Sequence, residues 1–279
     1  MNTANPAANP AALVALVWAA FFTCVHRGAC GWLRSGPFAA AHAALPSDKR
    51  RCECENAIPS MVHAVVSVVC AVHALHLDPQ RLVGAGAEGP FRPSGSMHAY
   101  TDASLALSSF SLGYFLWDLA VTIRHSMAWT WKVHALMSIL VFSLSGGVFA
   151  PPLVAWYATW WLLTETSTPF FNARMLMLSY GGARRFPTAF LVVQLLFVTT
   201  FVVVRVLWGA SRTYEVFARA MSAALGVGAD ADAARGAFDR CALFYVALSA
   251  VALFALNCTW AAEICRAIAR GKKEQRRKE

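Results

Sequence analysis

Seven apolar stretches alternate with shorter polar or basic segments along the chain. Because a helix needs about 20 predominantly apolar residues to cross a bilayer, each stretch predicts one membrane span. The predicted spans cover residues 11–30, 57–77, 103–123, 133–150, 151–171, 187–208 and 241–265. Pro151 and Pro152 join the fourth span to the fifth and predict a tight helical hairpin, since a helix rarely continues through such a pair. The segment 78–102 is rich in Gly, Pro and Ser and predicts an irregular loop.

The composition excludes an ordinary soluble domain. Of the 279 residues, 58% are hydrophobic and 14% are charged, whereas soluble domains carry about 25% charged residues. The mean hydropathy of +0.49 agrees with this imbalance. The predicted fold class is therefore all-α, a polytopic membrane protein with about seven transmembrane helices.

The basic residues are unevenly distributed between the two sides of the predicted membrane. With the C-terminal tail in the cytosol, alternating spans place 17 Lys or Arg residues on the cytosolic side and seven, including Arg205, on the opposite side. This asymmetry follows the positive-inside rule, so we expect a cytosolic C-terminus and an N-terminus outside the cell or in a lumen. The net charge of +9 then reflects orientation. We expect no nucleic-acid partner, because basic and aromatic residues are not interleaved on a common surface.

The eight cysteines predict neither a metal site nor a disulfide framework. Cys52 and Cys54 form a lone C-x-C beside two arginines, which is too small a set for a zinc site. Other cysteines fall in apolar segments, where the side chain behaves as a small hydrophobe. We therefore expect no metal.

Several predicted spans carry a polar or ionisable residue at a similar depth, in their cytosolic half. These residues are His63, Asp118, His134, Glu165 and Asn257. A charged side chain inside a bilayer costs about 2.5–3.5 kcal/mol on insertion scales, so such residues usually face one another or a polar cavity. Their common depth predicts a polar pocket that opens toward the cytosolic leaflet. The alternative is that they are boundary residues at the level of the lipid headgroups.

The densest polar cluster begins at Glu165, at the end of an apolar stretch that starts near residue 153. Three hydroxyl residues follow it directly, and Asn172 and Arg174 lie within ten positions. These side chains provide partners for a carboxylate at the end of a span. We therefore include Thr168, Asn172 and Arg174, with His63 and Asn257, among the polar residues of the predicted cavity.

Four sequence motifs together resemble the TLC domain family, named after the TRAM, Lag and CLN proteins. They are Ser60–Ala64 (SMVHA), Ser111–Asp118 (SLGYFLWD), His134, and Glu165–Arg174 (ETSTPFFNAR). The resemblance covers about residues 50–270. The last motif is most similar to the TLC-domain-containing branch of the family, as distinct from the ceramide synthases proper.

The resemblance implies a protein of the endoplasmic reticulum that acts in lipid metabolism. Six of its spans would form a helical barrel around a cavity, which in ceramide synthases is the place where an acyl-CoA meets a long-chain base. The chain would then divide into a first span and cytosolic linker (1–49), a TLC-like domain (50–270) and a basic cytosolic tail (271–279). Ceramide synthases carry a tandem His pair, whereas here Val133 precedes His134.

These observations leave three functions open. The first is a protein of lipid homeostasis that binds or processes an acyl lipid in the polar cavity, with membrane lipids as its partners. The second is an acyltransferase that uses acyl-CoA as its substrate, with no other cofactor. In it, His134 would be the general base or nucleophile, and Glu165 or Asp118 would orient its imidazole. The third is a trafficking or translocation factor of the endoplasmic reticulum. The sequence leaves the oligomeric state open.

Overall fold

The fold consists mainly of helices that run back and forth across the molecule. The computed structural model describes residues 10–76, 83–85, 95–149, 151–227, 234 and 236–276. The helices are α1 (Pro10–Ser35), α2 (Ala39–Ala43), α3 (Asp48–His76), α4 (Asp102–Arg124), α5 (Trp129–Ser145), α6 (Ala155–Leu162), α7 (Thr168–Ser179), α8 (Gly182–Arg185), α9 (Pro187–Thr200), α10 (Gly209–Leu225) and α11 (Ala237–Arg276). A 3-10 segment (Leu163–Ser167) joins α6 to α7, and a π-helical segment (Phe201–Trp208) joins α9 to α10.

Five of the described helices are long and apolar enough to cross a membrane. They cover Pro10–Ser35, Asp48–Leu75, Asp102–Arg124, Pro187–Leu225 and Ala237–Ala267. The chain is therefore a multipass membrane protein, as predicted. The predicted number of seven spans is not confirmed, because α5 has 17 residues and the α6–α7 rod is interrupted by its 3-10 segment.

Large apolar side chains cover much of the outer surface of these helices. On α1 the exposed side chains include those of Leu13, Leu16 and Val17, and on α9 they include those of Leu191 and Leu195. Contiguous exposed apolar surface of this kind is unusual in a soluble monomer. In a bilayer these faces meet lipid tails, and the polar residues are left to the interior of the helical assembly.

The predicted hairpin at Pro151 and Pro152 is present. Helix α5 ends at Ser145 and α6 begins at Ala155, so the two prolines lie in the turn between them. The turn is fixed by backbone hydrogen bonds from Leu153 N to Leu144 O (3.1 Å) and from Val154 N to Met97 O (2.6 Å). Val154 has a φ of 57°, which is rare for a β-branched residue and requires such fixed surroundings.

The expectation of an irregular segment over residues 78–102 was wrong. Two short antiparallel strands, β1 (Val83–Ala85) and β2 (Gly95–Tyr100), lie inside it. They are too short to produce a recognisable alternation in the sequence. Beyond the predicted span 187–208, helical structure continues without a break through α10 to Leu225, because the apolar face of α10 packs against α11 around Val216 and Leu243.

Helix α4 is the most deeply buried of the candidate spans, and α1 packs directly against it. Gly113 is the point of closest approach. A Cβ placed there would lie 2.6 Å from the carbonyl oxygen of Ala15 and would also collide with the Cβ of Trp18. Around this contact, the ring of Trp18 packs edge-on against Phe110, at 5.0 Å between centroids. The absence of a side chain at Gly113 therefore sets the distance between α1 and α4.

Gly113→Ala tests this packing. We expect it to destabilise the protein by about 1–3 kcal/mol, the range of overpacked cores, because the obstructing atoms include rigid backbone. The measurement is the apparent melting temperature of the purified protein in detergent. Gly28→Ala is the matched control, because an added Cβ at Gly28 meets nothing within 4 Å. Equal melting temperatures for the two variants would show that the contact does not constrain the helices.

Candidate functional site

A cavity of about 800 Å³ lies between α3, α4, α5, the α6–α7 rod, α9 and α11. Its inner part is lined by Tyr114, Phe115, His134, Glu165 and Arg205. Its outer part is lined by the first turns of α3, by the last turn of α4 and by residues 260–267 in the C-terminal half of α11. The cavity therefore extends from the middle of the helical assembly toward one end of it.

A buried ion pair lies at the inner part of the cavity. Nη2 of Arg205 lies 3.2 Å from Oε1 of Glu165, and both residues are 7% exposed. The guanidinium also donates to the hydroxyls of Ser167 and Thr168, at 2.9 Å each, and to the amide oxygen of Asn257 at 3.4 Å. Thr168 in turn donates to Oε2 of Glu165 at 2.6 Å. The two charges are thus compensated within the wall, as buried charges must be.

Helical irregularities place both partners of this ion pair. Glu165 lies in the 3-10 segment, where the hydroxyls of Thr164 and Thr166 donate to carbonyls three residues earlier, each at 2.7 Å. Such local hydrogen bonds compete with regular α-helix. Arg205 lies in the π-helical segment that faces it, and π-helical turns are frequent at functional sites.

The role of Arg205 differs from the one expected from the sequence. Its position near the end of the span 187–208 predicts an orientation charge on the lumenal side, but the structure buries Arg205 against Glu165. A signal was available, because Arg205 is the one charged residue within the predicted span 187–208. A lone charge in an apolar span usually has a partner inside the protein.

Asp118 and His134 line the same cavity but take no part in this network. Neither makes a hydrogen bond or an ion pair with another residue in the part of the chain that the structure describes. The ring of His134 is held instead by edge contacts to Phe115 and Trp260, at 5.5 and 5.7 Å between centroids. Their polar atoms are therefore available to a molecule in the cavity.

Six of the eight predicted site residues line the cavity: Asp118, His134, Glu165, Thr168, Asn172 and Arg174. The other two, His63 and Asn257, lie behind its wall. His63 is buried, stacks on Tyr114 at 3.9 Å between centroids and lies within hydrogen-bonding distance of Ser111 Oγ (3.3 Å). Asn257 contacts the cavity only through Arg205. His134 and Glu165 line the same space without a hydrogen bond between them.

The outer part of the cavity carries mixed charge. Arg50 and Glu53 form an ion pair at 2.8 Å. Arg174 donates to the amide oxygen of Gln194 at 3.4 Å and has no carboxylate partner among the described residues. The side chain of Asn172 donates to Ser60 Oγ at 3.0 Å and braces the wall between α3 and α7. An anionic group at this end would meet the positive charge of Arg174.

Arg205→Leu tests the ion pair. We expect a loss of about 3–5 kcal/mol in stability, because removing one partner leaves a buried, uncompensated charge. The control is Arg212→Leu, which breaks the more accessible i,i+3 pair with Glu215 and should cost less than about 1 kcal/mol. Both variants are compared with the wild type by thermal unfolding in detergent. A similar small loss in the two variants would contradict the proposed importance of the buried pair.

Comparison with known proteins agrees with the resemblance noted in the sequence. The family model of the TLC domain matches residues 53–266. "Topoisomerase I damage affected protein 4" of Saccharomyces cerevisiae is 36% identical over 124 residues, which is 42% of this chain and 43% of that protein. An uncharacterized TLC domain-containing protein of Schizosaccharomyces pombe is 26% identical over 235 residues, which is 82% of this chain and 70% of that protein.

The matched region contains every one of the predicted site residues and all of the residues that line the cavity except Arg50 and Ala267. It leaves out the whole of α1, which packs against α4 from outside the matched segment. Neither of the two relatives is described as a ceramide synthase. This chain is thus a multipass membrane protein that belongs to the TLC domain family.

Proposed function

We propose that the protein binds an acyl lipid in the cavity and thereby acts in lipid homeostasis. The observation that carries the proposal is a largely apolar cavity of about 800 Å³ into which two polar side chains, Asp118 and His134, face without hydrogen-bond partners among the described residues. Ligand sites typically enclose about 300–1,000 Å³ and combine apolar walls with few polar groups that fix orientation.

The geometry suggests how the lipid lies. Aromatic side chains such as Phe171, Phe197 and Phe201 line the cavity and provide contacts for an acyl chain. Asp118 and His134 provide hydrogen bonds to a carbonyl, hydroxyl or amine of the lipid. Glu165 and Arg205 already bind each other, and Arg205 also binds Ser167 and Thr168. In this proposal the ion pair therefore stabilises the cavity wall and does not bind the lipid.

We further propose that the cavity opens toward the cytosolic leaflet of the endoplasmic reticulum membrane. The outer part of the cavity lies at the end of α11 that leads to the basic C-terminal tail. The positive-inside rule favours the cytosol for that tail. Arg174 would then lie near the headgroups of this leaflet and attract an anionic lipid or the phosphates of an acyl-CoA.

Lipid retention tests the proposal. The wild-type protein, purified in mild detergent, should retain an acyl lipid detectable by mass spectrometry of an organic extract. It should also bind a fluorescent long-chain fatty acid. His134→Leu and Asp118→Leu should each weaken this binding about tenfold or more, because each removes a hydrogen-bonding group from an apolar site.

The matched control for lipid binding is His73→Leu. His73 is exposed on α3 and does not line the cavity, so its replacement should leave binding at the wild-type level. Equal binding by His134→Leu, Asp118→Leu and His73→Leu would contradict the proposal that His134 and Asp118 bind the lipid. A wild-type protein that retains no acyl species and takes up no fatty acid would sink the lipid-binding proposal itself.

Acyl transfer is the second candidate function, and the accessible imidazole of His134 favours it. In this reaction His134 takes a proton from an amine or hydroxyl acceptor, the acceptor attacks the carbonyl of an acyl thioester, and the proton passes to the departing thiolate. Glu165 makes its hydrogen bonds to Arg205 and Thr168. Of the two carboxylates that the sequence predicts beside His134, Asp118 is therefore the one that remains to stabilise the imidazolium.

Thiol release from a long-chain acyl-CoA separates the two functions. For an acyltransferase, His134→Ala should lower the rate about 10²–10⁴-fold, and His73→Ala should have no effect. The assay uses wild-type protein in liposomes with a long-chain base or a lysophospholipid as acceptor. Release that is absent from the wild type, or unchanged in His134→Ala, would exclude this mechanism and leave the binding function to stand on its own test.

A further inference from the structure

A second cluster of ionisable side chains lies outside the cavity, where the C-terminal part of α1 meets the beginning of α3. His26 and Cys30 are one helical turn apart on α1, and Glu55 lies opposite them on α3. One ligand atom from each of the three residues lies within 4.8 Å of the other two. His26 and Cys30 are half-buried, and Glu55 is 2% exposed.

We propose that these three residues form a binding site for a divalent transition-metal ion of the Zn²⁺ class. Imidazole, thiolate and carboxylate are the ligands that Zn²⁺ uses in proteins, at about 2.0–2.3 Å. A tetrahedral ion with these bond lengths holds its ligand atoms about 3.3–3.8 Å apart. Cys30 Sγ already has this separation from His26 Nε2, at 3.4 Å. Because all three ligand atoms lie within 4.8 Å of one another, small side-chain rotations suffice to bring Glu55 to the same separation.

The surroundings of Glu55 resemble the second shell of a metal site. Arg34 Nε donates to its Oε1 at 2.7 Å, and His42 Nε2 lies 3.1 Å from the same oxygen. The Nδ1 atom of His42 is in turn 2.8 Å from the hydroxyl of Tyr180. Because both contacts fall on Oε1, Oε2 is the oxygen that can face an ion. Metal-bound carboxylates and imidazoles are commonly oriented by hydrogen bonds of this kind.

The imidazole of His26 presents its Nε2 atom to the cluster, because Nε2 lies 3.4 Å from Cys30 Sγ. The Nδ1 atom is buried and has no hydrogen-bond partner among the described residues, so no acceptor or donor there fixes the tautomer of the ring. With the proton on Nδ1, Nε2 offers its lone pair to an ion between His26, Cys30 and Glu55. Cys52 is buried one turn before Glu55 on α3 and is a candidate for a fourth ligand.

The site would tie α1 to the TLC domain. The whole of α1 lies before the residues that match the family model, whereas Glu55 lies within them. Two ligands come from α1 and one from α3, so a bound ion would cross-link the two helices. The ion would lie near the C-terminal end of α1, beyond the place where α1 packs against Gly113 of α4. The inference is independent of the proposed lipid function.

Metal content tests the site on the full chain. The wild-type protein is loaded with ZnCl₂ in detergent, passed through a desalting column and analysed by elemental mass spectrometry. We expect about one Zn²⁺ per chain, and at least a tenfold lower content in His26→Asn and Cys30→Ser. The matched control is Cys24→Ser, because Cys24 is an exposed thiol on the same helix and should bind Zn²⁺ like the wild type.

Two further readouts keep the inference independent of whether a variant folds. Wild-type protein loaded with Co²⁺ should show a thiolate-to-cobalt charge-transfer band, and a metal chelator should lower the melting temperature of the Zn²⁺-loaded wild type. Wild-type protein that retains no Zn²⁺, a Co²⁺ form without the thiolate band, or a Cys30→Ser variant that binds as much Zn²⁺ as the wild type would each overturn the proposed site.

Discussion

The ion pair between Glu165 and Arg205 is the interaction on which the interior of this protein depends. A charge without a partner is costly to hold inside a membrane, and here two helical rods each bring one charge to the same place. Each rod departs from regular α-helix at that point. The hydroxyls of Ser167 and Thr168 complete the coordination of the guanidinium. The two charges at the inner part of the cavity wall therefore compensate each other.

This compensation separates the roles of the polar residues. Glu165 and Arg205 satisfy each other, whereas Asp118 and His134 face the cavity without protein partners among the described residues. Groups that are satisfied within the fold stabilise it, and groups that are left free can bind a molecule that enters. These two groups are set among apolar and aromatic side chains of the lining, and Arg174 and Glu263 add charge toward the outer part of the cavity.

Helix α1 adds a layer that the TLC domain match does not account for. It packs on α4 at Gly113, where two backbones meet, and its far end meets α3 in the cluster of His26, Cys30 and Glu55. Close backbone contact sets the distance between α1 and α4. Near its C-terminal end, α1 also makes a polar contact to α3, where Arg34 pairs with Glu55 at 2.7 Å.

The sequence by itself determined the membrane class, the helical hairpin at Pro151, the family and six residues of the cavity wall, because hydropathy, helix breakers and motifs are local properties of the chain. Only the tertiary structure decided which polar residues are paired. Arg205 and Glu165 are 40 positions apart, and His26 and Glu55 lie on different helices, so no spacing in the sequence brings either pair together. Contacts of that kind arise from the packing of helices, and packing depends on close approaches such as that at Gly113, which no local pattern encodes.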